Sequence, residues 1–452
     1  MTKPNIIFIV ADDLGYADLG CYGGRGFDGT GKASVSPELD KLAKSGMRFT
    51  QGYANSPVCS PTRFAMITGR YQYRLRGGQD EPIASKARGS GVLGLPPEHP
   101  TLPSMLKDAG YATALIGKWH LGFPPVFGPL QSGYEEFFGP LSGGVDYFTH
   151  CDSRGTHDLW ASEKNEVVEK HEIGYLTDLI TNRALDYVGR QAADKPFLLS
   201  LHYTAPHWPW ETRDDAELAP QIASNIFHLH GGNIHTYRRM IHHMDEGIGR
   251  IVALLKERGQ LDNTLIVFTS DNGGERFSDN WPLVGGKMDL TEGGIRVPYI
   301  AHWPRVIKAG QGGGLVSDQH CLTMDWSATM LEAGGATAHK DYPLDAVSLL
   351  PVLQGKTANG VETFPRDMFW RMNHRQQRAY RSGNYKYLRV DEHDYLFDLS
   401  QDERERANLG NHDPERLATM RKTWEAWNDS IPPIPPDATV SLGYGRADMP
   451  QR

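Results

Sequence analysis

The sequence has few cysteines, no long apolar run and no excess of positive charge, and each of these absences excludes a class of protein. Its four cysteines in 452 residues are too few and too widely spaced for a disulfide-stabilised scaffold. No apolar run approaches the length of a membrane span, so we expect no membrane partner. The formal net charge of −8 disfavours a nucleic-acid partner.

The N-terminal residues also lack a recognisable targeting signal. Met1-Thr2-Lys3-Pro4 leads directly into a strand-like stretch, without the basic, apolar and cleavage-site series of a signal peptide. We therefore expect a cytoplasmic protein, or a periplasmic one if a leader has been removed. A length of 452 residues with 39% apolar residues predicts one large globular domain, or a large and a small one.

Four apolar stretches predict strands that are buried on both faces, as in a parallel sheet: residues 5–10, 112–116, 197–201 and 265–269. Stretches with helical spacing lie between them, which favours an α/β fold. After about residue 360 the pattern changes to short antiparallel strands and one helix. We therefore expect a large α/β domain over residues 1–360, a small α+β subdomain over 361–430, and a proline-containing tail over 431–452.

Each of these four strands ends in polar side chains: Asp12 and Asp13, Lys118 and His120, His207, and Asp271 and Asn272. The carboxyl ends of parallel strands meet at one edge of a sheet, where ligands bind. Taken alone, each cluster has a simpler explanation, such as a solvated turn or a core histidine. Four independent simple explanations are together improbable, so the pattern favours a single site. Its carboxylate and amide oxygens favour a hard divalent cation.

A fifth candidate is the segment Cys59-Ser60-Pro61-Thr62-Arg63. Pro61 suits the first turn of a helix that Gly69 can end. Cys59 would then lie at a helix N-terminus, which favours an anionic group, with the Arg63 guanidinium on the same face. The alternative is a buried structural cysteine in front of a surface helix.

The segment from Cys59 to Arg63, followed by Thr68-Gly69-Arg70, resembles the signature of the type I, formylglycine-dependent sulfatases. Further motifs resemble this family, the arylsulfatase branch most closely, and occur in family order: Asp12-Asp13, Gly-Lys-Trp-His-Leu-Gly at 117–122, Ala-Pro-His-Trp-Pro at 205–209, Ser-Asp-Asn-Gly at 270–273 and Glu-Gly-Gly-Ile-Arg-Val-Pro at 292–298. The resemblance extends from about residue 4 to about residue 430. It implies the alkaline-phosphatase-like fold, with a large mixed, mostly parallel sheet flanked by helices and a small C-terminal α+β subdomain.

The resemblance implies a sulfuric ester hydrolase in which a formylglycine-generating enzyme has oxidised Cys59 to Cα-formylglycine. The aldehyde hydrate would attack a sulfate monoester and form a covalent sulfo-enzyme intermediate. One divalent cation, Ca²⁺ in preference to Mg²⁺ or Mn²⁺, would be bound by Asp12, Asp13, the modified Cys59, Asp271 and Asn272. The implied catalytic residues are Cys59, Arg63, Lys118, His120, His207, Asp271 and Lys287.

The resemblance also implies an individual role for several of these residues. Asp271 would accept the proton of the nucleophile, and His120 would later accept the proton of the second hydrate hydroxyl. His207 and Lys287 would contact the leaving oxygen. We expect His207 to be the acid, because the ordinary pKa of histidine lies near neutrality.

Several alternatives stay open at this point. A phosphonate monoester or phosphodiester hydrolase of the same superfamily would share the metal site, although the presence of both Lys118 and His120 favours sulfate esters. A non-catalytic binder of sulfated glycans could use Trp208, Trp210 and Trp281 as its platform. The substrate could be a small-molecule or a saccharide sulfate, and a homo-oligomer is possible.

Overall fold

The computed structural model describes residues 3–222, 225–229, 231–309, 314–355 and 363–441. The strands are β1 (Asn5–Ala11), β2 (Met47–Phe49), β3 (Gly52–Tyr53), β4 (Ala112–Gly117), β5 (Glu136–Gly139), β6 (Trp160–Glu163), β7 (Glu166–Glu169), β8 (Phe197–His202), β9 (Thr264–Ser270), β10 (Tyr299–His302), β11 (Leu315–Ser317), β12 (Cys321–Leu322), β13 (Met368–Arg371), β14 (Arg378–Ser382), β15 (Tyr385–Val390) and β16 (His393–Asp398). The helices are α1 (Pro37–Ser45), α2 (Cys59–Thr68), α3 (Leu102–Asp108), α4 (Leu176–Arg190), α5 (Ala219–Ile222), α6 (Ile234–Glu257), α7 (Glu292–Ile295), α8 (Asp325–Gly334), α9 (Leu350–Leu353) and α10 (Pro414–Asp429).

A ten-stranded sheet with the order β11-β2-β10-β9-β1-β8-β4-β5-β6-β7 forms the centre of the molecule. Its four middle strands, β9, β1, β8 and β4, are mutually parallel and are the four that the apolar runs predict. Alternate side chains of β1 point to opposite faces. Ile7 and Ile9 pack with α4 and α6, whereas Ile6 and Phe8 pack with α2, α3 and α8. The sheet is therefore covered by helices on both faces.

The flanking strands make the sheet mixed, and the predicted fold class is confirmed. β10 is antiparallel to both β9 and β2, and β5, β6 and β7 are joined in antiparallel order. A second, four-stranded antiparallel sheet consists of β13 to β16, and α10 packs against it. The proposed domain boundary at residue 360 lies outside the described residues, so the division into domains stays a prediction.

The start of helix α6 at Ile234, ahead of the buried Tyr237 and Met240, was not predicted. The cause of this start is a cap, because the side chain of Asn233 accepts hydrogen bonds from the backbone N–H groups of His235 and Thr236. The short hairpin of β6 and β7 was also not predicted. Its strands are four residues long and rich in charge, and they lack the apolar alternation that marks a strand.

The described part of the C-terminal tail pairs with the segment around Glu81, between α2 and α3. The N–H of Glu81 donates to the carbonyl of Thr439 at 2.9 Å, and the N–H of Ser441 donates to the carbonyl of Glu81 at 2.8 Å. Residues 442–452, the end of the predicted tail, lie outside the described residues. Within the described part of the chain, the helices are all too short or too polar to span a membrane.

Candidate active site

Cys59 is the first residue of α2 and is almost fully buried. The helix ends as the sequence predicts, with Gly69 in the left-handed conformation (φ 67°) and its N–H bonded to the carbonyl of Ala65. Burial raises the pKa of the Cys59 thiol and outweighs the nearby ammonium groups of Lys118 and Lys287. The unmodified residue is therefore a neutral thiol rather than a reactive thiolate.

Arg63 lies one helical turn after Cys59 and connects α2 to the ends of the central strands. Its Nε and one terminal nitrogen lie 3.0 and 2.9 Å from Oδ2 of Asp271, and the same terminal nitrogen is 4.0 Å from Oδ1 of Asp12. The other terminal nitrogen donates to the carbonyl of Lys118 at 3.2 Å. Arg63 thus contacts groups that follow β1, β4 and β9.

Asp12 and Asp13 follow β1, and each forms an ion pair with a lysine. Lys118 Nζ donates to Oδ2 of Asp12 at 2.6 Å, and Lys287 Nζ donates to Oδ2 of Asp13 at 2.7 Å. The side-chain amide of Asn272 donates to Oδ1 of Asp13 at 2.7 Å. Asp13 has a φ of 62°, a conformation that is uncommon outside glycine and recurs at functional sites.

The acidic residues at this edge fit a hard divalent cation. One ligand atom each from Asp12, Cys59 and Asp271 lies within 4.8 Å of the other two. Oδ1 of Asp12 and Oδ1 of Asn272 are buried without a hydrogen-bond partner. Burial, followed by the charge of Asp271, raises the pKa of Asp12. A bound cation would satisfy these oxygens and offset the cost of burying the carboxylates, and Ca²⁺, Mg²⁺ and Mn²⁺ all accept such ligands.

His120 presents an unpaired ring nitrogen at the site. Its Nε2 lies 2.7 Å from the carbonyl of Ile83 and must carry the proton of that hydrogen bond. Nδ1 is therefore a lone-pair acceptor, and it is buried without a partner. Burial and the neighbouring Lys118 hold the pKa of His120 well below 6.5. The ring also fits closely against Gly143, where a Cβ atom would come within 2.4 Å of it.

His207 and Lys287 form a hydrogen-bonded pair at the site. Nδ1 of His207 donates to the carbonyl of Trp208 at 2.8 Å, so its Nε2 accepts from Lys287 Nζ at 3.3 Å. Burial and Lys287 hold the pKa of His207 well below 6.5. Burial disfavours the charged form of Lys287, but the neighbouring carboxylate of Asp13 outweighs this effect and raises the pKa of Lys287 well above 10.5. The proton of this pair therefore resides on Lys287. The expectation that His207 is the acid assumed the ordinary pKa of histidine, whereas the pKa of His207 lies well below that value.

A cavity of about 220 Å³ opens onto these residues. Of the ten candidate residues, four line its wall: Cys59, His120, His207 and Lys287. The other six form the buried layer behind them: Asp12, Asp13, Arg63, Lys118, Asp271 and Asn272. The structure thus brings all ten together. Seven of them follow the four parallel strands, whose ends the sequence predicts to meet at one edge of the sheet, whereas Cys59, Arg63 and Lys287 come from other segments.

The cavity wall also contains residues that the sequence did not single out. Glu275, three residues after Asn272, is one of them, and its Oε2 is buried without a partner. Ser153, Phe227 and Ser441 come from separate loops and from the tail, and no sequence pattern marks them. Gly143 and Gly144 belong to the loop after β5.

The three tryptophans proposed as a platform have different environments. Trp208 lines the cavity and lies over the ring of His207, with a centroid distance of 3.9 Å. Trp210 is buried and stacks on His228. Trp281 is 54% exposed, with the guanidinium of Arg404 4.3 Å from the ring centroid. Only Trp208 is among the residues that line the described cavity.

Comparisons with known proteins agree with this geometry. The model of the sulfatase family matches residues 4–336. The N-acetylgalactosamine-6-sulfatase of Homo sapiens is 34% identical over 372 residues, which cover 78% of this chain and 66% of that protein. The chain therefore spans just under two thirds of the length of this relative.

Two solved structures resemble the chain over nearly its whole length. Ps i-CgsB in complex with k-i-k-neocarrahexaose is 32% identical with a TM-score of 0.79, covering 94% of this chain and 93% of that one. The PsFucS1 sulfatase from Pseudoalteromonas sp. is 26% identical with a TM-score of 0.75, covering 95% and 90%.

Proposed function

The chain belongs to the sulfatase family and has its alkaline-phosphatase-like fold, and on that basis we propose that it hydrolyses the sulfate monoester of a saccharide. The observation that carries this proposal is the position of Cys59. It opens onto a cavity shared with His120, His207 and Lys287, and a buried layer of carboxylates, lysine and arginine lies behind it.

The charges of the site favour an anionic substrate. Arg63, Lys118 and Lys287 balance the three carboxylates of Asp12, Asp13 and Asp271. One bound divalent cation would therefore leave the buried cluster with a net positive charge next to the cavity. Such a local field attracts a sulfate ester even though the whole chain carries a net charge of −8.

The preference for a saccharide rests on the relatives and on the shape of the cavity. One relative is named for N-acetylgalactosamine 6-sulfate, and one structural neighbour holds a neocarrahexaose. The cavity, at about 220 Å³, is smaller than a typical pocket for a drug-sized ligand and suits one ring with its sulfate group. Trp208 and Phe227 supply aromatic surface for the apolar face of a sugar.

A divalent cation and a modified Cys59 complete the chemistry that we propose. The divalent cation would polarise the nucleophile and the sulfate, and a formylglycine made from Cys59 would supply a hydrate oxygen as nucleophile and release sulfate when the aldehyde re-forms. A formylglycine-generating enzyme is then required for maturation. The hard oxygen ligands of Asp12, Asp13, Asp271 and Asn272 favour Ca²⁺.

Side chains of the site would donate and accept the protons of the reaction. Lys287, paired with His207, would donate to the leaving oxygen, because it is the protonated member of the pair. His120 would accept a proton at its unpaired Nδ1. Arg63 orients Asp271 through two nitrogens, so that this carboxylate keeps a fixed position beside Cys59.

The test compares kcat/KM for three substrates: a galactose 6-sulfate, 4-nitrophenyl sulfate and bis(4-nitrophenyl) phosphate. The protein is produced together with a formylglycine-generating enzyme and supplied with Ca²⁺, and Cys59→Ala serves as the control. We expect turnover of both sulfates, higher than that of the phosphodiester, and none with Cys59→Ala. A phosphodiester that is preferred by orders of magnitude would overturn the assignment to sulfate esters.

A further inference from the structure

A second group of metal-ligating side chains lies at the edge of the large sheet. It consists of His157, Glu169 and His171, and one ligand atom from each lies within 4.8 Å of the other two. Glu169 ends β7, which is one of the two edge strands of the sheet, and His157 belongs to the turn that precedes β6. None of the three lines the cavity of the proposed active site.

We propose that His157, Glu169 and His171 bind a Zn²⁺ ion. Two imidazoles and one carboxylate with an open fourth position are a common zinc ligand set. The histidines exclude the hard cations as preferred occupants, because Ca²⁺ and Mg²⁺ favour oxygen-only sites. The site is therefore chemically distinct from the Asp- and Asn-rich group near Cys59.

The distances suit a tetrahedral ion after a small movement. Nδ1 of His157 is 2.9 Å and Nε2 of His171 is 3.9 Å from the same oxygen, Oε1 of Glu169. Ligands at 2.0–2.1 Å from a tetrahedral zinc lie about 3.3 Å from one another, between these two values. The side chain of His171 is 74% exposed, so it can turn its nitrogen towards the ion. The two imidazole rings already stack, with centroids 4.3 Å apart.

The ion would link His157 to β7 and so stabilise a loop that reaches the cavity. Residues 150–158 form a tight loop, in which Asp152 N–H donates to the carbonyl of Thr156 at 2.8 Å and Asp158 N–H donates to the carbonyl of His150 at 2.8 Å. Ser153, near the tip of this loop, lines the cavity. A zinc bond from His157 to β7 would therefore hold this part of the cavity wall against the sheet.

The test is a calorimetric titration of the full chain with Zn²⁺ in excess Ca²⁺, so that the oxygen-rich site is already filled. We expect one zinc per chain in the wild type, and binding at least about tenfold weaker in His171→Ala and in Glu169→Gln. The matched control is His412→Ala, which removes another exposed histidine and should bind zinc as the wild type does. Equal binding by wild type and His171→Ala, or no binding by the wild type, would overturn the proposal.

Two further measurements identify the ligands without reference to activity. X-ray absorption of the zinc-loaded protein should show nitrogen and oxygen ligands with an imidazole signature, whereas a sulfur ligand would contradict the site. Amide hydrogen exchange of residues 150–157 should slow on zinc addition in the wild type and stay unchanged in His171→Ala. Equal slowing in both proteins would also count against the proposal.

Discussion

The contacts of Lys287 determine how a leaving group can be protonated at this site. Its ammonium group lies 2.7 Å from Asp13 and 3.3 Å from His207, and the carboxylate of Asp13 holds its pKa well above 10.5 against the opposing effect of burial. His207 donates through Nδ1 to a carbonyl and is neutral. Within this pair, the available proton is therefore on the lysine.

Replacement of Lys287 by alanine should impair saccharide sulfates far more than aryl sulfates. A sugar alkoxide needs a proton as it leaves, whereas 4-nitrophenolate is stable without one, and general-acid catalysis contributes about 10²–10⁴-fold. The measurement is kcat/KM for both substrates, with Lys256→Ala on exposed α6 surface as the control. Equal losses for both substrates would show that Lys287 is not the acid.

The hydrogen bond from His120 to Ile83 leads to a prediction about pH. Burial and Lys118 lower the pKa of His120, so the ring stays neutral at its ordinary pKa of 6.5 and becomes protonated only at lower pH. Activity that needs its free Nδ1 is then retained at pH 6.5 and lost as the pH falls further. With 4-nitrophenyl sulfate, the acid limb of kcat should be centred below pH 6.5. An acid limb centred above 6.5 would contradict this role.

At the scale of single elements, α6 depends on the cap that the sequence analysis missed. The side chain of Asn233 satisfies two N–H groups in the first turn. Asn233→Ala should lower the free energy of unfolding by about 1 kcal/mol, whereas Asn233→Asp should retain most of the stability. Thermal unfolding of the two variants measures the difference, and kcat should not change, because α6 lies away from the cavity lining. Identical melting temperatures for the two variants would refute the cap.

The sequence predicts those elements whose hydrophobic pattern is strong. Strands β1, β4, β8 and β9 are mostly apolar and six or seven residues long, and the meeting of their carboxyl ends brings together residues as distant as Asp12 and Asn272. Strands such as β10 and β11 have three or four residues, too few for a pattern. The hydrogen bond of His120 to Ile83 and its fit against Gly143 depend on the tertiary fold, which no local pattern encodes.

At the scale of the whole molecule, a buried lysine joins the C-terminal sheet to α7. Lys386 of β15 lies 3.0 Å from Oε1 of Glu292 in α7 and 2.8 Å from Oε1 of Glu405. Burial raises the pKa of Glu405 to about 7. Helix α7 begins five residues after Lys287, so this contact also supports one wall of the active site.

Replacement of Lys386 by methionine should destabilise the protein strongly. The change leaves the buried carboxylate of Glu405 without its cation and removes one of the cations beside Glu292, and removal of one partner of a buried ion pair costs about 3–5 kcal/mol. Thermal unfolding should show a clear fall in melting temperature relative to Lys422→Met, which removes an exposed lysine of α10. If the two variants have the same melting temperature, the buried contact does not hold the C-terminal sheet in place.

The central claim is that Cys59 becomes the nucleophile of a sulfate-ester hydrolase, and one measurement tests it most directly. Protein preparations that differ in formylglycine content are made by varying the co-expression of a generating enzyme. The aldehyde fraction in the peptide spanning Ser56 to Arg63 is determined by mass spectrometry and compared with the turnover of a sulfate ester. We predict that turnover rises in proportion to the aldehyde fraction and vanishes when Cys59 is unmodified. Turnover that is independent of this fraction would contradict the account.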